Sequence, residues 1–257
     1  MTGGQADRAE DLLEWDAQTY DSLPLPHVRW GAGVIGQLRL AGDETVADIG
    51  CGTGRDAEQL LRLLPRGRVM AVDGSQQMLA QLRTRLAGDL DRVDIVPADL
   101  REPLVLPRTA DAAISVATLH WLPDHQLVFT GVANALRPGG RFVAEAGGPG
   151  NISSVQAVLD ELGADDSAGT AQFAGAAETR TRLAAAGFAE IDVRVVPDPV
   201  PLQPGEQIEA YLATVILGKV LRELPPGERR LFVNEVARRL PEPVIDYVRL
   251  QISAVGP

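Results

Sequence analysis

The run Thr45-Val-Ala-Asp-Ile49 is followed at once by Gly50-Cys-Gly-Thr-Gly54 and then by residues at helical spacing. Three glycines at alternate positions are an expensive choice. In a strand or helix interior each costs about 0.5–1 kcal/mol relative to alanine, so the repeat marks a sharp turn and a backbone that something approaches closely. A β-branched run, a glycine loop and a helix together open a nucleotide-type α/β unit. The G-x-G-x-G spacing departs from the G-x-G-x-x-G of dehydrogenases, and Asp48 just before it would repel a pyrophosphate. The loop therefore reads against NAD and for a cationic ligand.

The alternation continues. Arg68–Val72, Val93–Pro97, Ala112–Val116 and Arg141–Ala146 read as strands. Gly54–Leu64, Ser75–Ala87 and Asp124–Leu136 read as helices, with Ser75 as a cap and Pro138-Gly139-Gly140 as a stop. Such a rhythm builds a parallel sheet with helices on both faces. Further on, Ser153–Leu162 and Ala176–Ala186 read as helices and Ile191–Val196 as a strand. Residues 197–205 hold four prolines and read as a linker or edge. Glu206–Leu224 and Glu228–Leu240 have helical spacing, while Asp246–Val255 alternates by two and reads as a closing strand. The expected organisation is an N-terminal helical cap over residues 1–40, which includes a helix at His27–Leu40. Residues 41–257 then form one domain with a helical lid inserted at about 198–243.

Composition narrows the partners. The 257 residues, 45% of them hydrophobic, suffice for a full core. A formal charge of -11, a single lysine (Lys219) and no basic block argue against nucleic acid and anionic membrane surfaces. The one cysteine, Cys51, forbids an internal disulfide and a multi-cysteine zinc site, and matches a reducing compartment. The first residues are polar and acidic, and no run of about 18 apolar residues occurs. The expectation is a cytoplasmic monomer or homodimer acting on a small molecule, with no metal.

Two more acidic residues follow at strand ends: Asp73, roughly 20 residues beyond the loop, where a carboxylate usually holds a ribose diol, and Asp99. With Asp48 they line one rim, because ligands bind outside the carboxyl ends of parallel strands. An adenosine carrying a positive sulfur and an amino-acid tail suits this set. Asp99 is open to a second reading as a turn cap. Cys51 reads as a small packing residue rather than a nucleophile.

At this point the sequence resembles the class I S-adenosylmethionine-dependent methyltransferases. The match runs through ADIGCGTG, AVDGS, PADL, ATLHWLPD and LRPGGRFVAE in order, over about residues 15–150. The order LHWLPDH then PGG is similar to the trans-aconitate methyltransferase-like branch. The resemblance implies a doubly wound, Rossmann-like, seven-stranded sheet with its last strand antiparallel, and DYVRLQISAV is placed to be that strand. It implies S-adenosyl-L-methionine as cofactor and S-adenosyl-L-homocysteine as product. Gly50, Gly52 and Gly54 would bring backbone to the donor, with Cys51, Gly74 and Met78 beside them. Asp48 would stand near the amino group and Asp73 at the ribose. Asp99 would meet the adenine amino group and Leu100 the ring, Ala117 would offer backbone near the methionine, and Tyr20 would face the methyl group.

Methyl transfer is an in-line displacement in which positioning is worth about 7–11 kcal/mol. His120, after the fourth strand, reads either as a base or as pocket wall. His125 reads as a surface or cap residue, and His27 as opening a helix or touching substrate. Trp30, Trp121, Glu145 and Tyr211 are candidate substrate contacts, against core packing for Trp30 and capping for Glu145. Arg55, Arg101 and Arg137 read as solvated, so no arginine clamp is evident. The expected function is O-, N- or C-methylation of a small organic molecule, with a non-methylating cofactor binder such as a cyclase as the alternative.

Overall fold

The computed structural model describes residues 26–164 and 172–257. Tyr20 and the part of the expected cap over residues 1–25 lie outside those residues. Strands are β1 (Thr45–Ile49), β2 (Arg68–Asp73), β3 (Val93–Pro97), β4 (Ala110–Val116), β5 (Leu136–Gly147), β6 (Ala189–Pro197), β7 (Val200–Pro201), β8 (Val244–Ile245) and β9 (Val248–Val255). Seven of them form one sheet in the order β3-β2-β1-β4-β5-β9-β6. The strands β1 to β5 pair parallel, and β9 runs antiparallel to both β5 and β6. The sheet and its reversed last strand agree with the sequence.

Side-chain alternation explains the layers. Val46, Val69, Ala71 and Ile114 join one apolar cluster, and Ala47, Ile49, Met70 and Val72 join the other. Because successive strand residues point to opposite faces, these short runs are apolar on both sides, as a buried parallel sheet requires. The first face carries α1 (His27–Gly36), α2 (Arg55–Leu63), α3 (Gln76–Arg85) and α5 (Ser153–Glu161). The second carries α4 (His125–Ala135) and α6 (Ala176–Ala185). Ser75 caps α3 by accepting from Met78 N–H at 3.2 Å, and Asp124 caps α4 by accepting from Gln126 and Leu127 N–H.

The expected helix at Glu206–Leu224 is instead three pieces. They are α7 (Glu206–Tyr211), a π turn at Leu212–Ile216 and α8 (Gly218–Glu223); α9 (Pro226–Arg239) follows. The wider turn lets Leu212 and Leu217 both reach the core beneath, where each is fully buried. The proline-rich linker also holds more order than expected. Val200 and Pro201 pair antiparallel with Ile245 and Val244, a two-rung ribbon from which the inserted helices spring. No helix among the described residues is long and apolar enough to cross a membrane.

Candidate active site

The glycine loop folds as its spacing requires. Gly50 has φ +79°, and a Cβ there would lie 2.1 Å from Thr118 Oγ1, so neither backbone nor space admits a side chain. Gly52 differs: a Cβ there would meet no atom within 4 Å. Open space therefore stands over the middle of the loop. The Gly50 and Cys51 N–H groups both bond to Val72 O, at 2.8 and 2.9 Å, which ties the loop to the end of β2. Asp73 braces it from below, taking Gly52 N–H at 2.9 Å on one oxygen and Ser75 N–H at 2.9 Å on the other.

Carboxylates crowd beneath this loop. Asp48 is 1% exposed, and its Oδ2 has no hydrogen-bond partner. Burial, then the charges of Asp56 and Asp73, push its pKa well above the ordinary value. Burial raises Asp56 to about 6, against the opposing pull of Arg55. Of these three acids Asp48 is the fully buried one with an unmet oxygen, and that oxygen fits the ammonium of a cationic ligand seated over Gly52. The Cys51 thiol is pushed up by burial and then by Asp48 and Asp73, so it stays protonated and is no nucleophile.

At the end of β3 the picture is different. Both Asp99 oxygens are engaged by the Arg101 side chain, at 2.8–3.1 Å, and Oδ1 also accepts Arg101 N–H. Burial alone would raise the Asp99 pKa, but these bonds outweigh it and hold the carboxyl below its usual range. Arg101 is thus ion-paired rather than free in solvent, and so is Arg137, whose Nε lies 2.6 Å from Asp111. Leu100 and Met78 are buried alongside, and Gly74 is half-buried between Asp73 and the Ser75 cap.

The β4, β5 and β9 tips assemble a second cluster. Ala117 takes a left-handed conformation at φ 53°, rare for alanine, and its N–H bonds to Glu145 O at 2.7 Å. His120 is 8% exposed, between Trp121 and Phe173, and its Nδ1 accepts Gly147 N–H at 3.2 Å. A neutral ring that accepts at Nδ1 carries its proton on Nε2. Burial, then Arg249, His27 and His125, holds its pKa well below 6.5. His120 is therefore a neutral donor in this arrangement, which removes the geometric basis for reading it as a base.

Glu145 is not open to substrate. Its Oε1 receives Arg249 Nε and its Oε2 receives Gln251 Nε2, each at 3.2 Å. The Arg249 guanidinium lies 3.7 Å over the Trp30 ring, and Trp30 Nε1 donates to Asp198 at 2.6 Å. Trp30 is thus both core and neighbour of the cluster. His27 meets it edge-on and is pushed to about 3 by burial, then by Arg249 and Arg55. Tyr211, from α7, shares a 2.9 Å hydrogen bond with the Tyr247 hydroxyl beside the start of β9, and burial raises its pKa to about 12. Trp121 is 36% exposed. His125 is fully buried with Nε2 on Leu119 O at 2.8 Å, a core residue rather than the surface or cap position expected. Lys219 is half-buried on α8.

Sequence reasoning passes over Arg249, Gln251, Asp198, Asp56 and Tyr247. The alternation of DYVRLQISAV does carry a signal, since it sets Arg249 and Gln251 on the same side of a strand read as closing the sheet. Among the described residues, no group of three or more His, Cys, Asp or Glu could hold a metal ion.

An acid-lined glycine loop at the carboxyl edge of a seven-stranded sheet defines a nucleoside-binding α/β enzyme. A methyltransferase-domain family model matches residues 46–140. The trans-aconitate 2-methyltransferase of Methylobacterium nodulans is 30% identical over 182 residues, covering 70% of this chain and 67% of that protein. Its counterpart in Rhodopseudomonas palustris is 30% identical over 172 residues, covering 67% of this chain and 64% of the relative. Solved structures share the fold at lower identity. A phosphoethanolamine N-methyltransferase of Haemonchus contortus has a TM-score of 0.61 at 17% identity, covering 89% of this chain and 52% of its own. Geranyl diphosphate C-methyltransferase of Streptomyces coelicolor has a TM-score of 0.53 at 18% identity, covering 88% and 75%. The chain belongs to the class I S-adenosylmethionine-dependent methyltransferases, in the branch of the trans-aconitate enzymes.

Proposed function

We propose that the protein moves a methyl group from S-adenosylmethionine to a small carboxylic acid. The observation that carries the donor half is the open space over Gly52 set against the unpartnered Oδ2 of buried Asp48. In this reading the Gly50–Gly54 loop and Cys51 border the methionine portion, and Asp48 with Asp56 faces its ammonium. Asp73 exchanges part of its hold on the loop for the ribose hydroxyls. Gly74, Met78 and Leu100 flank the adenine, and Asp99 receives its amino group by sharing the oxygens now held by Arg101. Ala117 offers backbone at the methionine end.

S-adenosylmethionine supplies an electrophilic methyl on a sulfonium centre. The chain's own part is to align the acceptor, exclude water and hold protons where they are. Neither acid–base candidate on the acceptor side is free among the described residues: Glu145 is engaged by two donors, and His120 already uses Nδ1. An acceptor that arrives deprotonated needs none, which favours a carboxylate over an amine or carbon. His27, Trp30, Trp121 and Tyr211 bound that acceptor, under a lid at about 198–243. The enzyme works in the cytoplasm as a monomer or homodimer, without nucleic acid or membrane. No observation favours a cyclase role.

Calorimetric titration with S-adenosylhomocysteine and with NADH tests the donor half, and mass spectrometry of carboxylic acids incubated with S-adenosylmethionine tests the transfer. Binding of NADH with no binding of S-adenosylhomocysteine would sink the reading.

A further inference from the structure

We infer that Arg249 selects the acceptor: the outer Nη2 edge of its guanidinium seats a carboxylate of the substrate above the Trp30 indole. This rests on the methyl-transfer reading above and names the residue that reads the substrate. The Arg249 side chain is 3% exposed. Only Nε faces Glu145, and Nη2 is buried with no hydrogen-bond partner. A guanidinium carries five donors in a rigid planar fork. A buried donor left unmet is costly, more so when charged.

The neighbouring acids are already committed. Glu145 gives its second oxygen to Gln251, and Asp198 is held by Trp30 Nε1 at 2.6 Å and Arg29 Nη2 at 2.8 Å. Among the described residues, the Trp30 and Tyr247 rings also lie beside Arg249. His120 is joined to the same strands through Gly147, which sits opposite Arg249 in the sheet and donates to Nδ1 of that ring. Burial and the Arg249 charge keep both His120 and His27 unprotonated, so neither competes as a cation. The outer edge of the fork matches the two oxygens of a carboxylate in geometry and charge. The edge is sealed from bulk water, so a carboxylate paired with it is little screened. The Tyr247 ring lies 5.9 Å from the guanidinium carbon, and its hydroxyl shares a hydrogen bond with that of Tyr211.

The test uses the whole chain saturated with S-adenosylhomocysteine. Benzoate, cinnamate and trans-aconitate are titrated by ligand-observed NMR, each beside its amide. The wild type binds at least one carboxylate more tightly than the amide. Arg249→Met abolishes that preference, a loss of about 10–100-fold, while S-adenosylhomocysteine affinity is unchanged; Arg249→Lys restores part of it. Glu145→Gln, which removes the competing acid, strengthens carboxylate binding. Should Arg249→Met not fold, the Arg249→Met/Glu145→Gln pair and Glu145→Gln alone decide between the outcomes. No carboxylate preference in the wild type, or a preference that survives Arg249→Met, overturns the assignment. Failure of the wild type to bind S-adenosylhomocysteine at all is a different result and removes the methyl-transfer reading with it.

Discussion

The tips of β1, β2 and β3 and the tips of β4, β5 and β9 share one rim but are built by opposite rules. The first half is short-range and acidic. Its Asp73 brace reaches back only 21 residues to Gly52, and its charges are left partly unmatched. The second half is long-range and donor-rich. Arg249 and Glu145 lie 104 positions apart, and Trp30 and Asp198 lie 168 apart. Its acids are neutralised, and its spare capacity is an N–H edge. A generic ligand can be held by a local motif, whereas a particular ligand needs side chains gathered from distant segments.

The contrast can be broken most forcefully at Arg249. Removing one partner of a buried ion pair leaves an uncompensated charge, so Arg249→Met lowers unfolding free energy by about 3–5 kcal/mol. Adding Glu145→Gln recovers most of that, as a double-mutant cycle in urea would report; additive losses would show that the two side chains do not act as a pair. In the other half, Gly50→Ala costs about 2–3 kcal/mol, from a positive φ and the contact with Thr118. An unaltered urea midpoint would contradict the close approach. Asp73→Ala weakens S-adenosylhomocysteine binding by about 1–3 kcal/mol in calorimetry, and wild-type affinity would remove its ribose role.

Protonation sharpens the contrast because its sign reverses between the halves. His27, pushed to about 3, and His120, also lowered, contribute stability that is complete above the free histidine value of about 6.5 and is lost as pH falls toward their folded values. Asp56, raised to about 6, contributes stability that is complete below about pH 4 and is lost as pH rises through 6. Each proton changes stability by at most about 1.4 kcal/mol per pH unit. A His27→Gln variant therefore loses less melting temperature than the wild type between pH 6.5 and 5. Asp56→Asn loses less between pH 4.5 and 6.5. Parallel curves for either variant and wild type would refute its assigned shift. The smallest effect belongs to Asp99→Asn, whose partly exposed pair with Arg101 is worth about 0.2–1 kcal/mol of stability.

The same division explains what can be read from the chain. Gly50, Gly52, Gly54, Asp73 and the strand–helix rhythm are visible because each depends on neighbours in sequence. The reversed closing strand is legible from its alternation by two. Arg249 is not, since nothing near Asp246 says that Glu145 will lie beside it. The pairing of Asp99 with Arg101, two residues on, stays hidden because a carboxylate and an arginine in the turn after a strand look alike whether paired or solvated. The break in the helix after Tyr211 is equally silent, because residues 212–216 keep an apolar pattern that a regular helix would also satisfy.

The β9 strand enters the sheet against the direction of its neighbours. Parallel strands deliver side chains to the ligand edge from their last residues, but this one delivers from its first. The stretch at residues 244–247, from β8 to the start of β9, therefore acts as a length gauge. Losing one residue there would turn Leu250 toward Glu145 and swing the guanidinium into the opposite layer. Losing two would restore the facing and slide the charge about 7 Å along the sheet. The place of the Arg249 side chain beside Glu145 is thus exposed to single-codon deletions far from any recognisable motif.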